Sequence, residues 1–145
     1  MARRKKYVLA DLPEAGTVFA MPLEDGRIGV CRVLRKTGIE IPCVLVAASD
    51  WIAHEPPSLD DLAVRKILVL NHHNWREQPE VLWIASPPPK EFRMIGKINV
   101  LPKDAKQECN SYGAWDSLPI QVLAQWRWGN EREAVLAEDA VKNTL

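Results

Sequence analysis

From Thr17 to Leu34 two largely apolar runs flank the polar Glu24-Asp25-Gly26-Arg27, and the stretch predicts a β-hairpin. That dipeptide suits a two-residue type I′ turn, because both central positions need φ > 0 and glycine has no Cβ to clash. Such a turn fixes the register. Leu23 then faces Ile28, Met21 faces Val30 and Phe19 faces Arg32, while Pro22/Gly29, Ala20/Cys31 and Val18/Val33 share the other side. One side is bulky and the other small, the pattern of a strongly bent sheet. Arg35 to Gly38 reads as a second turn, and Ile39 to Ala48 as a strand covered on both sides, with Pro42 placing its first half at an edge or bulge.

The pattern then breaks. Ser49 to Lys66 is a long connection in which Ser58 and Asp61 offer caps for one short helical turn. Ile67–Leu70 and Val81–Ala85 predict strands that pair back on one another, Pro87-Pro88-Pro89 an unpaired extended connector, and Phe92–Val100 a further strand with a bulge at Gly96. Lys103 to Asp116 lacks periodicity and reads as loop. From Ile120 to Trp128 apolar residues recur at every second position, which predicts a half-buried strand; a helix opened by Leu118-Pro119 is the alternative. Asn130 with Glu133 predicts the cap of a C-terminal helix through Val141, with Val135, Leu136 and Ala140 on its buried face. The fold class is therefore mainly β (α+β): one domain over residues 1–145, a small bent antiparallel sheet or barrel-like body with a C-terminal helix.

Composition adds two points. Hydrophobic residues at 47% and charged residues at 26% are ordinary for a globular chain, but six Trp against two Tyr and two Phe raise the weight of recognition, where large amphipathic rings are enriched. Nineteen basic and nineteen acidic residues cancel, so the chain has no broad electrostatic footprint for nucleic acid or anionic lipid. Locally, Arg3 to Lys6 is basic and reads as a solvated terminus, whereas Asp50 to Leu62 carries acids only. Cys31, Cys43 and Cys109 have no close pair and read as reduced thiols. No apolar run reaches a membrane span, and a cytoplasmic location is expected.

Candidate chemistry is sparse. His54, Glu55, His72 and His73, with Cys109 or Asp50, include donor types that zinc accepts, but no H-x-x-x-H or C-x-x-C spacing is present, and no metal or other cofactor is expected. Ser49, Ser58, Ser86 and Ser117 lie outside any G-x-S-x-G turn, and the glycines form no phosphate-cradling loop before a helix. A non-enzymatic binding role follows. Its expected surface consists of the loops flanking the Ile67 strand, where Trp51, His54, Glu55, Asp60, Asp61, His72, His73 and Trp75 would form an aromatic, acid-rimmed patch.

Gly16-Thr17-Val18-Phe19-Ala20, the hairpin Pro22-Leu23-Glu24-Asp25-Gly26-Arg27 with Arg32-Val33-Leu34, and Gln125-Trp126-Arg127-Trp128 followed by Arg132-Glu133-Ala134 resemble the immunity protein twenty-six family of bacterial polymorphic toxin systems. The likeness touches both ends of the chain and leaves out residues 49–117. It implies a cytoplasmic protein that binds and blocks a cognate protein toxin, with partner-specific contacts in that unmatched middle. Inhibitors of basic nucleases gain from strong negative charge, so neutrality points away from a nuclease target. The other reading is a small β-barrel reader that binds nucleic acid or a peptide through Trp51, His72, His73 and Trp75.

Overall fold

The computed structural model describes residues 7–38, 41–72 and 75–144. Its centre is a five-stranded antiparallel sheet built on a meander, β1 (Thr17–Pro22), β2 (Ile28–Thr37) and β3 (Cys43–Ala53). Two short strands, β4 (Val69–Leu70) and β5 (Gln78–Pro79), pair separately. Strand β6 (Val81–Ile84) then joins the far side of β3, and β7 (Arg93–Lys97) returns beside β1. The order β6-β3-β2-β1-β7 leaves the sheet open instead of closed into a barrel. Val81–Ile84 thus pairs with β3 and not with the Ile67 segment. Helices α1 (Pro102–Ala105), α2 (Ser117–Asn130) and α3 (Arg132–Thr144) complete the chain.

The hairpin exists, but its turn is one residue longer than the sequence suggested. The Leu23 carbonyl accepts from Gly26 N at 3.0 Å, Leu23 N–H donates to the Arg27 carbonyl at 2.9 Å, and Gly26 has φ +87°. This is a three-residue loop with a left-handed glycine closing a bulge. Phe19 therefore faces Cys31 and Met21 faces Gly29, while Ala20 faces Val30 and Val18 faces Arg32. A one-residue slip carries every side chain of one strand to the other side. Packing explains the choice: a Cβ on Gly29 would lie 3.1 Å from Met21, 3.2 Å from Leu23 and 3.5 Å from Val122 of α2, so a bare backbone is what lets the three meet.

The second correction is α2. Ile120–Trp128 is helix and not strand, and Ile120 is exposed. Leu118 and Val122 lie four residues apart on one helical stripe and are buried, together with Trp115 just before the helix, in the cluster that holds Met21, Phe19 and Val46. Any i, i+4 pair is also an even step, so a period of two over nine residues does not separate the two structures. Pro119 sits in the first turn, where a missing N–H costs nothing. Asn130 ends α2 instead of capping α3; its side-chain amide donates to the Trp126 carbonyl at 2.8 Å. In α3 only Val135 is buried among the described residues, and Leu136 is half-exposed.

Other boundaries moved less. β3 starts after Pro42 and runs five residues into the expected connection, α1 supplies a helical turn where loop was read, and Gly96 (φ +150°) does sit at a bulge between β7 and β1. Asp61 caps a 3₁₀ turn, Leu62–Arg65, by accepting from Ala63 N–H at 2.9 Å.

The two sides of the sheet differ. One carries Phe19, Met21, Cys31 and Val46 under α2, with the Trp115 ring edge-on to Phe19 and Phe92 at 5.6 and 5.7 Å. The other carries two smaller apolar clusters, around Val18, Val30 and Val64 and around Leu34, Leu45 and Val81. On that second side Arg32 is buried and pairs with Asp104 of α1 at 3.1 Å. The hairpin and the Trp126-Arg127-Trp128 run, distant in sequence, also meet: the Arg27 guanidinium lies 4.0 Å over the Trp126 ring. Burial raises the pKa of both the Cys31 and Cys43 thiols, and all three cysteines are free. Among the described residues no helix is long and apolar enough to cross a membrane.

Candidate functional site

The expected binding residues go to different places. Trp51 lies in β3, half-buried against Val18, Val30 and Val64, with its indole N–H buried and without a partner among the described residues. It belongs to the second side of the sheet and is not a loop aromatic. His54 and Glu55 are exposed just past β3. Hydrogen bonding from Arg27 lowers the Asp25 pKa, with a weaker pull from His54, so His54 stands near the hairpin tip. Asp60 is exposed, and Asp61 is occupied as the cap. His72 is only 4% exposed and Trp75 is 39% exposed; their rings meet at 6.3 Å. His73 lies outside the described residues. His72 and Trp75 are thus brought together, while Trp51 is turned to the other side of the sheet.

What fixes His72 is Gln125, a residue outside the expected binding set. Gln125 of α2 accepts through Oε1 from Asn71 N–H at 2.7 Å and His72 N–H at 3.1 Å, and its amide nitrogen donates to Asn71 Oδ1 at 2.6 Å. The same oxygen lies 2.9 Å from His72 Nδ1, which places a ring proton on Nδ1 because its partner is an acceptor.

Gln125 also lines an open cleft of about 770 Å³. Two stretches form its walls, the 3₁₀ turn and its continuation, with Leu62, Lys66 and Val69, and Leu101, Lys103, Asp104 and Gln107; Asp50 and Arg65 also contribute. Three aliphatic side chains reach solvent here, Leu62 at 76%, Val69 at 45% and Leu101 at 42% exposure. Exposed aliphatics gathered in one concavity differ from scattered ones, since contiguous apolar surface marks interaction sites.

Long-range bonds hold the walls. Ser49 Oγ donates to the Ala63 carbonyl at 2.7 Å, and Leu68 N–H to the Ala48 carbonyl at 2.7 Å. Arg32 spans the walls from behind, its Nη2 donating to the Arg65 carbonyl at 2.7 Å as well as to Asp104. Arg65 Nη1 donates to the Asn99 carbonyl at 2.8 Å. Behind Leu68, Glu80 N–H donates to the Leu68 carbonyl at 2.8 Å and its own carbonyl accepts from Ala48 N–H at 3.0 Å. Glu80 is 5% exposed, its Oε2 has no partner among the described residues, and burial pushes its pKa up to about 7.

The charges follow from these bonds. Asp104 is neutralised by Arg32, whereas Lys66, Lys103 and Asp50 make no ion pair among the described residues. No group of three metal-ligating side chains occurs among the described residues. No family model, curated protein or solved structure matches this chain.

Proposed function

We propose that this chain is a non-catalytic immunity protein that binds and neutralises a cognate bacterial polymorphic toxin in the cytoplasm. The observation that carries the reading is the cleft, where solvent-exposed Leu62, Val69 and Leu101 stand on a frame fixed by hydrogen bonds far apart in sequence. Pre-ordered walls spare a binding surface the entropy of arranging itself. The residues that carry the family likeness support it from a second direction, because they build the scaffold: Gly16 bonds to Val33 and Ile98, and Arg27 stacks on Trp126. Apart from Gln125, the cleft is lined from within the unmatched middle, residues 50–107.

The reader of nucleic acid or peptides has less support, because Trp51 packs on the sheet and His72 is buried, so two of its stacking rings are not displayed. The test is co-expression with the secreted toxin encoded beside this chain. Growth should be restored and a stoichiometric complex recovered; continued growth arrest with no complex overturns the reading.

A further inference from the structure

We propose that the toxin segment seated in the cleft is an acidic one bearing aliphatic side chains, an inference that rests on the toxin-binding reading above. The chain as a whole is neutral, and the stretch leading into the cleft from Asp50 to Leu62 carries acids only, so the sequence points to a negative surface. The lining is the reverse. Arg65, Lys66 and Lys103 face Asp50 and Asp104, and Asp104 is already committed to Arg32 behind it. Asp61 turns back to cap the 3₁₀ turn, and Asp60 does not line the cleft.

Two lysines with no ion pair therefore flank the aliphatic rim, Lys66 beside Val69 and Lys103 beside Leu101. An aliphatic side chain seated on Leu62, Val69 and Leu101 would exclude water from the middle, and carboxylates at its margins would reach the two ammonium groups. Complementary rim charge speeds encounter and rejects wrong partners more than it adds affinity, so a basic segment of the same apolar content is disfavoured at this surface.

The experiment uses the full chain and two probes of equal length, acetylated peptides of paired leucines alternating with paired glutamates or with paired lysines. The expected result is that the glutamate peptide binds about tenfold or more tightly than the lysine peptide, shifting amide resonances at residues 62–69 and 101–107, and weakens as salt rises. Lys66→Glu with Lys103→Glu should reverse that preference, while Lys66→Arg with Lys103→Arg keeps it. Both lysines are exposed, and an unchanged melting temperature confirms that the variants fold. Equal binding of the two peptides, or shifts confined to another surface, overturns the proposal. With the toxin itself, a complex that the double Glu variant retains within about twofold, well below the cost of a lost close charge pair, removes the cleft proposal and leaves the immunity reading standing. A wild-type chain that prefers the glutamate peptide yet neither binds nor neutralises the toxin removes the immunity reading instead.

Discussion

Replacing Glu80 with Gln should change stability by an amount that depends on pH. The carboxyl belongs to the residue between β5 and β6, whose backbone bonds to Leu68 and to Ala48 in the middle of β3; Glu80 is 5% exposed, and Oε2 has no hydrogen-bond partner among the described residues. Burial raises its pKa from 4.5 to about 7, so ionising it costs more in the fold than in the unfolded chain. Below 4.5 both states hold the proton and the difference vanishes. As pH climbs from 4.5 to 7 the unfolded chain gives up its proton first, and wild-type stability falls; above 7 the full penalty applies. At about 1.4 kcal/mol per unit, the raised pKa corresponds to about 3 kcal/mol at mildly alkaline pH. Gln does not titrate. Its buried amide adds a constant cost of about 1–3 kcal/mol where it lacks an acceptor, which displaces the whole comparison without tilting it. Urea unfolding of wild type and Glu80→Gln at several pH values measures the tilt: the stability of the variant relative to wild type should rise across the 4.5 to 7 window and level off on both sides. A difference that is flat with pH would refute the assignment of an uncompensated carboxyl to this site.

Trp115→Ala should cost about 3–5 kcal/mol in thermal or urea unfolding, since the ring is buried between Phe19 and Phe92 and its N–H donates to the Ser86 carbonyl. Trp128→Ala, half-buried under Arg132, should cost clearly less in the same assay. Asp104→Ala strands the buried Arg32 charge and should destabilise by about 3–5 kcal/mol, whereas Arg32→Met combined with Asp104→Leu should recover most of that loss in a double-mutant cycle. Gly26→Val meets no neighbouring atom and should cost only the left-handed backbone strain, about 1–2 kcal/mol. Gly16→Ala should cost more in the same melts, because its φ is +91° and the new Cβ would overlap the Ile98 carbonyl oxygen.

The meander was legible because its signals are local: apolar runs, a glycine turn and a β-branched stretch need no knowledge of the rest of the chain. Where the reading slipped, two structures shared one local signal. Asp25-Gly26 suits a two-residue turn and equally a three-residue one, and the bulk of Met21, Leu23 and Val122 meeting over Gly29 decides between them. Leu118 and Val122 satisfy an even period and a helical one, and burial against Met21 selects the helix. The cleft was not legible. Its members are ordinary residues, Leu62, Lys66, Val69, Leu101 and Lys103, whose importance arises only when Arg32 draws α1 up to the Leu62–Arg65 turn. Trp51 and Trp75 look alike in sequence, yet one faces the sheet and the other solvent, because β3 continues through Ala53 and carries Trp51 with it.

Gln125 of α2 lines the cleft while the rest of its lining comes from residues 50 to 107. During translation the lysine and leucine side chains of that lining emerge first, and the helix that pins Asn71 and His72 leaves the ribosome after them. A nascent chain therefore cannot present the finished concavity, and a partner that recognises it counts only molecules whose synthesis has passed α2.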